Sequence, residues 1–398
     1  MKVARTFLSF SVLFVFSLGC KADHKQNPPV PSLTLDIRTL GFIPLTQQDW
    51  EKLDKGISIA RDAQFLESQD PHVQVSFISN DTVVVSWTRG SKSEPRWEDP
   101  LFLTGVFIDT KTGSIRFRQD WLTHKRKRNS NLADTEGRIL PASNGRFIVH
   151  ANGELQLYSS DFLPSQSFEV PADGGYWSVR VLPGGKRLFL RHESPMGIAY
   201  SWLDVDGFQS LRSEPAPPSG LDFDPRNTVV PFDSGFYIVV GKSLHAIPAV
   251  AGPTIACEPS LCRNSSFTLR ASILDQQRVA LLGSEGVAVY THDAQPTWSK
   301  IGTGVRNGFD ITESLNGQRV AVRAFGEEKS ATFDGHPLAK GPNYLIYESD
   351  RPDLLFFVHP QREWEAGDAL SPDGTKFAVL SGTQLQIYEV PLMGTPQK

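Results

Sequence analysis

Cys257 and Cys262 are the residues of this 398-residue chain whose types and spacing point most directly to a defined chemistry. In Cys257-Glu258-Pro259-Ser260-Leu261-Cys262 the intervening residues suffice for a hairpin loop that sets the two thiols opposite one another within disulfide range. So short a loop gives the bridge only about 2 kcal/mol in the chain-entropy model, a local pin rather than a global staple. A zinc site would need further ligands, and no His stands in that segment. Five of the nine histidines, His150, His192, His245, His292 and His359, fall near predicted strand ends in separate parts of the chain. They make a metal site only if the fold gathers them, and solvated polar residues at strand ends are the simpler reading. Asp204, Asp206, Asp222 and Asp224 match no calcium-loop spacing and read as turn formers. The basic run His124-Lys125-Arg126-Lys127-Arg128 has no interleaved aromatics, so it reads as an exposed loop, the alternative being contact with lipid phosphates or an acidic glycan. No zincin His-Glu-x-x-His, phosphate-binding Walker loop, Gly-x-Ser-x-Gly elbow or EF-hand loop occurs. No catalytic, cofactor-binding or metal residue is therefore assigned, and no cofactor is expected.

The compartment is read from the first residues. Lys2 and Arg5 precede an apolar run from Phe7 to Leu18, and Lys21, Asp23, His24 and Lys25 follow at once. A basic head and a short apolar stretch predict a signal peptide over residues 1–20, too short for a transmembrane helix. The run ends in Ser17-Leu18-Gly19-Cys20, which resembles the bacterial lipobox; the resemblance implies a diacylglycerol on Cys20, which becomes the mature N-terminus. Ser17 departs from the Leu preferred there, so ordinary cleavage at a nearby small residue stays open. Lys21, in place of the Asp tied to inner-membrane retention, points to the outer membrane. Pro28, Pro29 and Pro31 stiffen a tether over 21–32. A formal net charge of −4 gives no reason to expect nucleic acid as a partner.

The elements that must position these residues are short and repeated. Hydrophobic residues make up 39% and charged residues 21%, with 32 Gly and 28 Pro, which favours many tight turns over long helices. Ser371-Pro372-Asp373-Gly374 precedes the apolar run from Phe377 to Leu380, and Ser381-Gly382 leads into Leu385, Ile387 and Tyr388. Proline presets φ and glycine accepts positive φ, so this tetrapeptide reverses the chain between two strands. The same turn, strand, turn, strand order recurs with turns near residues 81, 145, 185, 235, 277, 317 and 374. The shortest separations, about 40 to 45 residues, match a four-stranded propeller blade. Four- and five-residue apolar runs suit strands buried on both faces. The sequence thus predicts an all-β single β-propeller of about seven four-stranded blades, with a sandwich or two smaller β domains as the structural alternative.

Segments 88–100, 123–137 and 325–342 read as polar face loops, with Trp97 the aromatic best placed to touch a partner. Most of the other tryptophans are expected between blades. Only 47–60 has a helical flavour. Because the last hairpin ends at Val390, blade seven lacks an outer strand unless the alternating Leu33-Thr34-Leu35-Asp36-Ile37 supplies it. The domain plan is therefore a leader at 1–20, a tether at 21–32, a closing strand and linker at 33–64, the propeller at 65–393 and a tail at 394–398.

The final unit resembles the WD-repeat-like blade of bacterial TolB-type periplasmic propellers, marked by Ser-Pro-Asp-Gly before an apolar strand. The match covers 370–390, so it implies an architecture and carries no catalytic residue. The functional expectation is an exported, lipid-anchored, non-catalytic binding or scaffold module of the cell envelope. It would meet a protein or glycan through its face loops and touch the membrane by its N-terminal lipid only. The alternative is a periplasmic propeller enzyme of lactonase or hydrolase type, whose carboxylates and His meet in the central funnel. Oligomeric state is not legible.

Overall fold

Short runs such as Val83-Val84-Val85, Phe147-Ile148-Val149 and Phe377-Ala378-Val379-Leu380 are buried from end to end, which requires protein on both faces of the strand. A propeller supplies this, since the second strand of each blade is packed between two neighbouring blades. The computed structural model describes residues 29–42, 73–90, 100–125, 137–170, 176–194, 197–215, 229–233, 235–247, 253–263, 269–327, 330–360 and 365–392. Their strands form seven antiparallel sheets around one axis.

Blade 1 is Gln74–Ser79, Thr82–Gly90, Pro100–Asp109 and Ile115–Lys125, counted from the axis outwards. Blade 2 is Arg138–Pro141, Phe147–Ala151, Glu154–Tyr158 and Pro164–Glu169. Blade 3 is Tyr176–Val181, Arg187–Ser194, Gly197–Asp204 and Ser210–Pro215. Blade 4 is Val229–Phe232, Gly235–Val240, Ser243–Ile247 and the short Ile255–Ala256. Blade 5 is Arg270–Ile273, Arg278–Leu282, Gly286–Thr291 and Pro296–Thr303. Blade 6 is Val305–Glu313, Arg319–Gly326, Gly341–Glu348 and Leu354–Val358. Blade 7 is Glu365–Leu370, Lys376–Ser381 and Gln384–Glu389, completed on the outside by Leu33–Asp36.

The hydrophobic core is divided to match. Seven buried clusters lie one at each junction between adjacent blades, from Phe107, Trp121 and Phe147 between blades 1 and 2 to Ile346, Phe377 and Tyr388 between blades 6 and 7. Trp87, Trp202 and Trp298 are buried in these junctions, as their apolar area demands. Closure runs through the N-terminal strand, with Leu33 opposite Ile387 and Asp36 opposite Gln384. Leu33 and Leu35 are half-buried against the junction of blades 7 and 1, and Ile37 is fully buried there. Ile37 belongs not to the strand but to a 3-10 turn, Ile37–Leu40, capped by the Asp36 carboxylate and by Gly41 at φ 89°.

The segment expected as a plain face loop at 325–342 is structured instead. Its Thr332–Phe333 and His336–Pro337 form a hairpin that adds to the outer edge of blade 5 and makes that sheet six-stranded. Asp334 and Gly335 both have positive φ, at 52° and 74°, which is what a two-residue hairpin turn of matching twist requires. The loops expected at 88–100 and 123–137 begin later than the sequence suggests, because blade 1 strands continue to Gly90 and Lys125. The rest of those loops, the 47–60 segment and the leader and tether through residue 28 lie outside the described residues. No described helix is long and apolar enough to cross a membrane.

Cys257 and Cys262 stand in the connection between blades 4 and 5, with Cα atoms 6.3 Å apart and sulfurs at 2.07 Å. A hairpin does not bring them together. Glu258 carbonyl accepts from Leu261 N–H at 2.9 Å and from Cys262 N–H at 3.2 Å, so the segment coils as a helical turn. Leu261 and both cysteines pack into the cluster between blades 4 and 5.

Candidate functional site

The turns joining first to second strands are built mostly from Asx and Ser motifs, blade 3 using Pro183-Gly184-Gly185 instead, and hydrogen bonds link several of them. Ser371 Oγ donates to Asp373 and accepts from Lys376 N–H, and Asp373 also accepts from the Thr375 amide. Asn80 Nδ2 of blade 1 donates to Asp373 of blade 7 at 2.7 Å, and Asn316 N–H of blade 6 donates to Pro372 carbonyl at 3.0 Å. Gly185 carbonyl of blade 3 accepts from Ser143 N–H of blade 2 at 2.9 Å. Gly184 N–H of blade 3 donates to Leu315 carbonyl of blade 6, blades that are not neighbours, so this bond crosses the axis. The channel is therefore closed at the turn face. The longest connections, 37–73, 91–99, 126–137, 216–228, 257–269 and 327–340, all join strand ends on the opposite face.

Two residues before Leu315 stands Glu313, at the end of the inner strand of blade 6. Strand alternation sets its direction: Phe309 and Ile311 pack towards blade 5, so Glu313 does as well, and it accepts from Ser272 Oγ of that blade at 3.3 Å. Arg180 of blade 3 acts on it electrostatically from across the channel, and Asp310 from its own strand. Burial pushes the Glu313 carboxyl above the usual carboxylate range; the Ser272 hydrogen bond and the Arg180 charge pull the other way, and burial wins. Asp310 and Thr312 face blade 7 instead. Thr312 donates to Asp368, and Arg323 pairs with Asp310 and lies 4.0 Å from Asp368. Both signs of charge stand around the axis, blade 6 also carrying Arg306 on its inner strand. The inner strands of blades 2, 3 and 5 carry Arg138, Arg180 and Arg270, whereas Asp310, Glu313 and Asp368 belong to blades 6 and 7.

Among the described residues, the five histidines at strand ends do not meet. His150 and His192 are on second strands of blades 2 and 3, His245 on the third strand of blade 4 beside Thr254, and His359 Nδ1 donates to Pro342 carbonyl at 2.9 Å. His292 lies 3.0 Å from the Tyr237 hydroxyl through Nδ1 and stacks on that ring at the junction of blades 4 and 5. Burial holds His150 down to about 4, with Arg138 adding to the effect, and lowers His292. Among the described residues, no group of three or more His, Cys, Asp or Glu stands where it could hold a metal ion. Asp204 accepts from Asp206 N–H at 2.6 Å in a tight turn, while Asp222, Asp224, Trp97 and 126–128 lie outside the described residues. Cys20 lies outside them too. The trio Arg180, Ser272 and Glu313 carries no local signal, since its members come from three blades.

Strand order and pairing define the class: a seven-bladed β-propeller, closed by its own N-terminal strand. No family model matches the chain, and no curated protein is similar to it. Among solved structures it is similar to the C-terminal WD40 domain of Sif2, at 10% identity and a TM-score of 0.45, over 80% of this chain and 96% of that one.

Proposed function

We propose that the chain is exported, held at the outer membrane by a diacylglycerol on Cys20, and acts as a non-catalytic binding or scaffold module of the cell envelope. The observation that carries this reading is the division of the two faces. One is a ring of short, mutually bonded turns, and the other receives every long connection, which is where binding residues on a rigid scaffold belong. The resemblance of 370–390 to TolB-type blades supports an envelope setting, and a protein or glycan is the partner such a face takes. Cross-linking the full-length protein in native envelopes tests this: adducts are expected on the loop face, and adducts confined to the turn face would overturn the reading. Non-reducing mass spectrometry of the mature protein tests its attachments. An N-terminal Cys20 bearing diacylglycerol, with Cys257 and Cys262 resistant to thiol alkylation, is the expected result. An unmodified start beyond residue 20, or alkylation of both cysteines, is the losing one.

A second reading, a periplasmic propeller enzyme of lactonase or hydrolase type, is favoured by one feature. A carboxyl whose hold on its proton burial strengthens, accepting from Ser272, is the kind of group general acid work uses. Hydrolysis of a lactone panel, abolished by Glu313→Gln, would establish it.

A further inference from the structure

The outer strand of blade 1, Ile115–Lys125, is the longest sheet edge in the ring, and among the described residues nothing pairs with it. The other edges are blunted. Blades 2, 3, 4, 6 and 7 end in outer strands of six residues or fewer, and the outer strand of blade 5 is covered at its end by the added hairpin. Proline also bounds Pro164–Glu169 and Ser210–Pro215, whereas Ile115–Lys125 contains neither proline nor glycine. Ile115 and Leu122 are 49% and 41% exposed on it. Bulges between Ile115 and Phe117 and between Leu122 and Lys125 leave 117–122 as the stretch of regular register.

We propose that this edge is a dimer interface, taken by the same strand of a second copy of this chain in antiparallel register about Gln119. Main-chain hydrogen bonds join the two blades into one continuous sheet. A two-fold axis normal to the sheet keeps each side chain on its own face, so the residues it pairs differ in number by an even count. The two registers that pair most of 117–122 are centred on Gln119 and on Asp120. Centring on Asp120 sets that carboxylate against itself. Centring on Gln119 sets Arg118 opposite Asp120 twice and Phe117 opposite Trp121 twice, favourable charge and aromatic pairs across the ladder. Arg118 donates to Leu40 carbonyl and Asp120 accepts from Thr104 Oγ; the register follows from the sign of the two charges and needs no vacant bond on either. Phe117 and Trp121 pack against blade 2, where Trp121 Nε1 donates to the Tyr158 hydroxyl at 2.7 Å, so the aromatic pairs extend an existing cluster. Because the two-fold preserves the faces of the sheet, the closing segments of both copies lie on one side of it. The edge belongs to the rim, so the proposal goes beyond the binding-module reading and stands whatever the loop face binds.

Sedimentation of the full-length protein across a concentration series is expected to show a reversible monomer–dimer equilibrium, a readout that does not depend on any variant folding. Arg118→Asp or Asp120→Arg sets like charges opposite each other at both pairs and is expected to weaken the dimer about ten-fold or more. The double variant restores opposite charges and should recover it. Gln119→Cys lies on the two-fold axis, with its Cα about 4.5–5.5 Å from its mate, and is expected to give a disulfide-linked dimer under mild oxidation. Ser167→Cys, on the exposed outer strand of blade 2, is the control and should stay unlinked. A monomer at every concentration, a dimer unchanged by single reversals of native melting midpoint, or no recovery by a folded double variant would each overturn the proposal. So would linkage of Asp120→Cys in preference to Gln119→Cys. A monomer whose Gln119→Cys variant links to a different protein would equally remove the second copy and assign the edge to another partner's strand.

Discussion

A protein lacking residues 21–38 melts on the order of 5–10 °C lower than the full chain and associates edge to edge. The ring is shut by the pairing of Leu33–Asp36 with Gln384–Glu389, which joins the beginning of the propeller to its end. Full burial of Ile37 is worth about 1.5–3 kcal/mol and the half-burial of Leu33 and Leu35 roughly half that each. In a propeller of this size each kcal/mol moves the midpoint by roughly 1–2 °C. The closing segment also fastens the first blade. Leu40 carbonyl accepts from Arg118 of blade 1 at 3.0 Å, and Phe42 packs edge-on against Trp87 of that blade with centroids 5.7 Å apart. Without the strand, the third strand of blade 7 presents unpaired N–H and C=O groups, a template for a second chain. Differential scanning calorimetry with sedimentation at two concentrations reads both effects. An unchanged midpoint and no association beyond that of the full chain would mean that blade 7 needs no outer strand.

The closing strand was legible because two facts of sequence converge on it: an alternating apolar pattern before the first blade and a last hairpin with nothing after it. The blade count was legible for a related reason. The turns near residues 81, 145, 185, 235, 277, 317 and 374 are all turns between first and second strands, where glycines and Asx residues bond to the next blade and cannot vary freely. Second strands were legible because burial on both faces leaves an unbroken apolar run. Outer strands were not. Pro164–Glu169 is exposed along most of its length and carries Ser, Gln and Glu, so no period of two survives in it. The added hairpin had a signal that composition masked: Phe333-Asp334-Gly335-His336 is an Asp-Gly two-residue turn, but its flanking strands are only two residues each. The channel floor had none. Arg180, Ser272 and Glu313 are ordinary strand residues until strand alternation and the Gly184 to Leu315 bond place them together.

That same bond runs through the turn of blade 6, where Gly317→Ala is expected to cost about 3–5 kcal/mol. Gly317 has φ +71°, a conformation that any side chain disfavours by roughly 1–2 kcal/mol. A Cβ there would also stand 2.2 Å from Leu274 carbonyl oxygen and 2.6 Å from Asp275 Cβ, both in the corresponding turn of blade 5. The first of these is backbone, so relief requires the two turns to separate rather than one side chain to rotate. Gly153→Ala is the matched control, because Gly153 also has φ +71° but no heavy atom within 4 Å of the added carbon. Its cost should be the conformational term alone, about 1–2 kcal/mol. Urea unfolding of the two variants isolates the contact between turns as their difference. Displacing the blade 6 turn also shifts Leu315, whose carbonyl holds Gly184, and with it the floor between Arg180 and Glu313. Equal destabilisation by the two substitutions would show that the turns of blades 5 and 6 are not in contact in solution.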